Sequence, residues 1–222
     1  MNRHWRVPVT LICATLAVYC SSSEAEDCES GFTKLFDGKT LKGWTGDTKG
    51  YAIEDGTLIC RPKIGRNLFT AKEYSDFVLR FEFKLTPGAN NGLGIRCPLK
   101  GPAHYDGIEL QIIDNTAPKY KNLKPWQYHG SVYGVAPAKR GHLKPVGQWN
   151  FQEIICQGRR VKVLLNGATI VDADLDKAST PKTLDGYPHA GLNRTKGHIG
   201  FLGHGDRVEF RNIRIKVPPV SD

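Results

Sequence analysis

The chain has 222 residues, 40% hydrophobic and 24% charged, with 24 glycines and 13 prolines. That is the composition of a turn-rich globular protein, and it excludes an intrinsically disordered, collagen-like or polytopic membrane chain. The excess of 31 basic over 22 acidic residues, a formal charge of +9, raises a nucleic-acid or anionic-surface partner. However, the basic residues are spread from Lys34 to Lys216 with no block of five, and this dispersal argues against nucleic acid.

Asn2-Arg3-His4-Trp5-Arg6 is a short basic stretch, residues 7–20 are mostly apolar, and Ser21-Ser22-Ser23-Glu24-Ala25 is small and polar. This is the layout of a secretory signal peptide ending at Ala25, and the apolar run is shorter than the ~20 residues that span a bilayer. The charge ahead of the run and the polar break behind it favour export, to the periplasm or the medium, over a buried N-terminal helix. No membrane span is expected after cleavage. A lipid anchor on Cys20 is a lesser alternative, because bulky Tyr19 precedes it. Residues 26–222 then form a single domain. They retain Cys28, Cys60, Cys97 and Cys156, enough for two disulfides in three possible pairings, with buried free thiols as the alternative. The spacing contains no CxxC, so a zinc site is not expected.

Beyond Cys28 the periodicity is that of strands. Phe77, Leu79, Phe81, Phe83 and Leu85 alternate with Arg80, Glu82 and Lys84, which describes a half-buried antiparallel strand. Similar runs fall at 56–61, 92–97, 107–114, 151–157, 160–165, 169–172, 198–202 and 208–217. Asn166-Gly167 between two of them signals a tight hairpin, since both central residues of a type I′ turn need positive φ. Residues 72–76 and 175–177 could each form about one turn of helix. Many short strands without crossover helices predict an all-β, two-sheet antiparallel sandwich. Residues 116–148 break the rhythm with Pro118, Pro125, Pro137 and Pro145, and a long loop on a rigid sandwich tends to carry function.

In the run from Tyr105 to Asp114, Ile108, Leu110 and Ile112 take one face, leaving Glu109 and Gln111 side by side on the other, about 7 Å apart. There they could act as a general base and a hydroxyl-orienting amide, with an exposed polar face as the plainer reading. Upstream, the Gly-rich turn at Gly88-Ala89-Asn90-Asn91-Gly92 leads to Arg96, which could pair with Glu109 or bind a substrate oxygen. The turn lacks the Lys-Ser/Thr ending of a phosphate-cradling loop. His204, between Gly203 and Gly205 at a strand end, suits acid–base work or sugar contact. His104 precedes the Glu109 strand, while His129 and Tyr133 lie in Tyr128-His129-Gly130-Ser131-Val132-Tyr133-Gly134. Ser131 has no nucleophile-elbow context. Trp126, in the Pro-rich loop, is expected to be exposed, whereas Trp44 and Trp149 suit a core; aromatic faces stack on the apolar faces of sugar rings. No HExxH or HxH occurs and no cofactor is implied, though a metal held by distant oxygens and imidazoles stays open.

Gly31-Phe32-Thr33-Lys34-Leu35-Phe36-Asp37-Gly38-Lys39-Thr40-Leu41-Lys42-Gly43-Trp44 resembles the opening signature of the 3-keto-disaccharide hydrolase domain family. The later landmarks follow in the family's order: Asn90-Asn91-Gly92 with Arg96, Glu109-Leu110-Gln111-Ile112-Ile113-Asp114-Asn115, Ser131-Val132-Tyr133-Gly134, and Lys144-Pro145-Val146-Gly147-Gln148-Trp149-Asn150. Asn166-Gly167, residues 200–205 and Val208-Glu209-Phe210-Arg211-Asn212-Ile213 complete the match, which spans about residues 31–217. The resemblance implies a concanavalin A-like jelly-roll sandwich and cleavage of glycosidic bonds in sugars carrying a ketone at C3. Such a ketone acidifies the C2 proton, so a base can remove it, an enolate forms, the C1 substituent leaves and water adds back. On that chemistry Glu109 or His204 is the base and Arg96 the oxyanion donor. Gln111 and Tyr133 position the substrate, with His104, Asp114, Trp126, His129 and Lys144 completing the carbohydrate site. A non-catalytic carbohydrate-binding domain on the same fold is the alternative.

Overall fold

A computed structural model describes residues 29–219, and from Gly31 onward the chain forms one unit. The expected signal peptide, Cys20 and Cys28 lie outside the described residues. In chain order the strands are β1 (Thr33–Lys34), β2 (Trp44–Gly46), β3 (Tyr51–Glu54), β4 (Thr57–Cys60), β5 (Asn67–Tyr74), β6 (Phe77–Leu85) and β7 (Asn90–Cys97). There follow β8 (Ile108–Ile113), β9 (Trp149–Gln157), β10 (Arg160–Leu165), β11 (Ala168–Asp174), β12 (Gly197–Leu202) and β13 (Val208–Lys216). One-turn helices α1 (Ala103–Asp106) and α2 (Leu175–Ala178) interrupt them. No helix among the described residues is long and apolar enough to cross a membrane.

The expected two-sheet antiparallel sandwich is what forms. An eight-stranded sheet runs β11-β10-β9-β6-β13-β4-β3, with β1 added to β13, and a five-stranded sheet runs β2-β5-β12-β7-β8. The alternation of β6 sets the register of the larger sheet, because Phe77, Leu79, Phe81, Phe83 and Leu85 are all buried while the intervening residues are half-buried. Across the layer, Phe201 of β12 stacks on Phe210 of β13 at 3.8 Å and meets Phe81 of β6 edge-on at 5.8 Å. Each such aromatic, fully removed from water, contributes roughly 2–3 kcal/mol. Trp44 also joins this core, its ring against Phe201 and its Nε1–H donated to the Leu35 carbonyl at 2.8 Å.

Four local expectations are completed or corrected. Residues 72–76 are not helical: β5 extends to Tyr74, paired there with β12 through Glu73 opposite His198 and Tyr74 opposite Gly197, where sheet pairing overrides a locally polar sequence. Residues 175–177 do form a helical turn, α2, capped by the Asp174 carboxylate on the Asp176 and Lys177 amides. The Asn166-Gly167 hairpin has φ of 50° and 88°, as a type I′ turn requires. Among the described cysteines no disulfide forms: Cys60, Cys97 and Cys156 are separate buried thiols, and burial pushes Cys97 up to about 12 and Cys156 to about 11.

Candidate functional site

β8 is the last strand of the smaller sheet, yet all six of its residues are buried. Ile108, Leu110 and Ile112 face the core, and the opposite face, carrying Glu109, Gln111 and Ile113, lies beneath the long 116–148 segment. That segment also covers the strand edge. The Tyr133 amide donates to the Glu109 carbonyl at 2.9 Å, the Gln111 amide to Ser131 O at 3.0 Å, and the Gly130 amide to Gln111 O at 2.7 Å. An edge that would otherwise offer unpaired amides is closed by the loop that roofs the site.

Between this roof and the strand lies a cavity of about 200 Å³. Its walls include Glu109, Gln111, His104, Tyr133 and His204, five of the residues anticipated from the sequence. Glu109 is 6% exposed, and among the described residues its carboxyl has neither a hydrogen bond nor an ion pair. Burial alone raises its pKa from 4.5 to about 7. Room for the carboxyl comes from β7, where a Cβ at Gly92 would overlap the Glu109 side chain. A glycine at this strand position therefore serves the close approach of the carboxyl.

Around Glu109 the polar groups converge. Gln111 directs Oε1 to the Ile112 amide at 3.1 Å, so its NH₂ remains to donate. The Tyr133 hydroxyl accepts from Gln127 Nε2 at 3.2 Å, which leaves its own proton to give. His104, half-buried on α1, and His204, exposed at the rim beyond β12, both have pKa values lowered first by desolvation, so both are held toward the neutral imidazole. Asn90, Tyr120, Leu123 and Gln127 also line the cavity and were not anticipated as site residues. The signal for Asn90 was present, since it shares the Gly92 face of β7, and its buried Oδ1 has no hydrogen-bond partner. The other three come from the irregular loop, whose path no local pattern specifies.

Five anticipated residues lie elsewhere. Arg96 is 1% exposed, and its guanidinium donates to Gly158 O at 2.7 Å, Arg194 O at 3.1 Å and Asp76 Oδ1 at 3.4 Å, so it is a structural clamp rather than an oxyanion donor. The cause is a bulge: His198 pairs with Cys97 but Gly200 with Gly94, and Arg96 adopts φ of 52°, which breaks the alternation that would have placed it beside Glu109. His129 is buried in the sandwich, stacked on Phe83 with ring centroids 4.9 Å apart and hydrogen-bonded to Gln152 Oε1 at 2.9 Å, and burial pushes its pKa down to about 4. Asp114 is buried and caps a turn, accepting from the Gly88 amide and from Thr116, away from the cavity wall. Trp126 is half-buried rather than exposed and does not line the cavity, and Lys144 is an exposed loop residue outside it. Among the described residues no group of three or more His, Cys, Asp or Glu is placed to hold a metal ion.

Comparisons with known proteins agree with this architecture. The model of the 3-keto-alpha-glucoside-1,2-lyase-like domain matches residues 31–216. The chain is 28% identical to a protein of Bacteroides thetaiotaomicron named 3-keto-disaccharide hydrolase, over 84% of this chain and 78% of that one. A solved structure from Parabacteroides distasonis, named as a candidate glycosyl hydrolase, superposes with a TM-score of 0.75 at 32% identity, covering 84% of this chain and 99% of the other. A second structure from the same organism gives 0.74 at 26% identity, with 90% and 98% covered. A Bacillus subtilis protein with a galectin-like fold shares the sandwich alone, at 14% identity and a TM-score of 0.59. With the family match running from the strand that opens the sandwich to the one that closes it, the chain belongs to the 3-keto-alpha-glucoside-1,2-lyase-like family.

Proposed function

We propose that this protein is an exported enzyme that cleaves 3-keto-glycosides, 3-keto-disaccharides among them, by elimination and rehydration, with Glu109 as the base. The observation that carries the reading is a buried carboxyl without a partner among the described residues, with a pKa near 7, facing a cavity lined by hydrogen-bond donors. A lectin site has no use for such a group, since sugar hydroxyls are held well by ordinary exposed carboxylates and amides. Removing a proton next to a ketone calls for a base that is both strong and ionised near neutrality, and desolvation supplies that combination.

In the first step the Glu109 carboxylate takes the C2 proton and the C–H electrons move to the C3 oxygen as an enolate. Gln111 and the neutral imidazoles of His104 and His204 are the candidate donors to that oxygen, with Arg96 no longer needed. The enolate then re-forms the ketone and expels the C1 oxygen, to which Tyr133 or one of the imidazoles gives a proton. Water adds its oxygen to C1 of the resulting enone, its proton going to the group that protonated the leaving group; the Glu109 carboxyl, its proton exchanged with solvent once the first sugar has left, protonates C2, and the free 3-keto sugar leaves. The export leader read in residues 1–25 belongs to the same proposal. Incubating the purified protein with a 3-keto-disaccharide in D₂O tests the reading: the released 3-keto sugar is expected to carry deuterium at C2. Sugar binding without turnover would exclude an enzyme, and turnover without C2 label would exclude proton abstraction.

A further inference from the structure

The cavity at Glu109 has room for about one pyranose ring, so whatever is bonded to C1 of that ring must lie over the rim. On one side the rim is aromatic. The His104 ring lies 4.1 Å from that of Tyr105, and Tyr105 lies 6.0 Å from Tyr187, which is 61% exposed. Exposed tyrosines on loops usually pack against nothing and sample several rotamers, but the backbone that carries Tyr187 is tied down. The Thr183 hydroxyl donates to the Tyr187 carbonyl at 2.7 Å and the Tyr187 amide donates to Asp185 Oδ1 at 3.1 Å. Asp185 in turn holds His189 Nε2 at 3.0 Å, in a pair whose side chains are 8% and 2% exposed. The His189 ring then braces Tyr105 edge-on at 4.9 Å. A buried His–Asp pair that does not line the Glu109 cavity thus fixes two tyrosines beside its mouth. Beyond Tyr187 the surface stays concave, in an open depression of about 410 Å³ that also includes Lys182 and Asn193.

We propose that Tyr105 and Tyr187 form the leaving-group subsite, a ledge on which the ring bonded to C1 of the 3-keto sugar lies flat. This rests on the reading of Glu109 as the base. A pyranose or aryl ring presents an apolar face that the tyrosine rings cover, while its edge and any hydroxyls stay in water. Because the ledge is already ordered, stacking costs little loop entropy, and the ring holds C1 and its oxygen beside His104. The preferred substrates are therefore 3-keto-glycosides with a cyclic leaving group, and a small alkyl leaving group forfeits the contact.

The test compares kcat/KM for the 4-nitrophenyl and methyl 3-keto-α-glucosides and for one 3-keto-disaccharide, with the wild-type protein, Tyr187→Ala and Tyr187→Phe. The expected result is a ring-over-methyl ratio that falls about tenfold in Tyr187→Ala, mainly through KM, and is kept by Tyr187→Phe. A ratio unchanged in Tyr187→Ala overturns the ledge while turnover by the wild-type protein leaves the role of Glu109 standing. Loss of the ratio in Tyr187→Phe as well would assign the effect to the hydroxyl and overturn stacking. If the wild-type protein cleaves none of the three, the ledge and the reading beneath it fall together.

Discussion

Glu109 and His129 are both buried without an opposing charge among the described residues, and they tilt stability with pH in opposite directions. The folded pKa of Glu109, about 7, lies above its ordinary 4.5. Its cost is therefore absent below pH 4.5 and grows to roughly 3 kcal/mol as pH rises through 7. For His129 the folded value, about 4, lies below 6.5, so its stability is fully present above 6.5 and is lost by a similar amount as pH falls toward 4. Between the two ordinary values the slopes largely cancel. Glu109→Gln is expected to raise the urea midpoint at pH 8, leave it unraised at pH 4, and lower kcat by about 10²–10⁴. The wild-type rate should climb with pH up to about 7. For His129 the check is by NMR: its ring signals should hold at their neutral position until pH nears 4. Glu109 was legible in the sequence because alternation along one strand is local information. The role of His129 was not, because Phe83 and Gln152, which trap it, belong to strands of the opposite sheet.

At the level of elements, the site is made by two adjacent strands and a loop. β7 contributes an absence of side chain at Gly92 and β8 contributes the carboxyl, so they fit only in their observed register, with Gly94 opposite Glu109 and Gly92 opposite Gln111. Gly92→Ala should keep the fold, since the overlap falls on the movable end of Glu109 and the cost should stay near 1–2 kcal/mol. The displaced carboxyl should cost about 10²-fold in kcat, measured beside the urea midpoint of the same variant. β6 and the Asn166-Gly167 hairpin could be read directly, because an apolar period of two and a pair of positive-φ residues are signals complete within a few positions. β5 could not: after Leu68-Phe69-Thr70 its sequence turns to Lys72-Glu73, and only pairing with β12, where Glu73 lies opposite His198, keeps those residues a strand.

Over the whole molecule, Arg96 does for the sandwich what it was expected to do for a substrate. It is anchored on β7 of the smaller sheet and reaches the turn at Gly158 between β9 and β10 of the larger one, as well as Asp76 and the Arg194 carbonyl. Arg96→Ala should therefore destabilise by roughly 3 kcal/mol or more, by removing the guanidinium that the Gly158 and Arg194 carbonyls accept from and that pairs with Asp76, while kcat per folded molecule stays within a few-fold of the wild-type value. Urea titration and active-site-normalised rates separate the two effects. None of this was legible beforehand, because the partners stand 20, 62 and 98 positions away in sequence. The three buried thiols should resist labelling until the protein unfolds, which alkylation with and without denaturant will show. The position of β13 carries a consequence for biogenesis. This last strand lies between β6 and β4 and also receives β1, so the larger sheet stays divided until residues 208–216 have been synthesised. Until then β4 and β6 lack the strand that joins them, so a chain truncated before Val208 should leave the two halves of the larger sheet unjoined, with their facing edges open to aggregation.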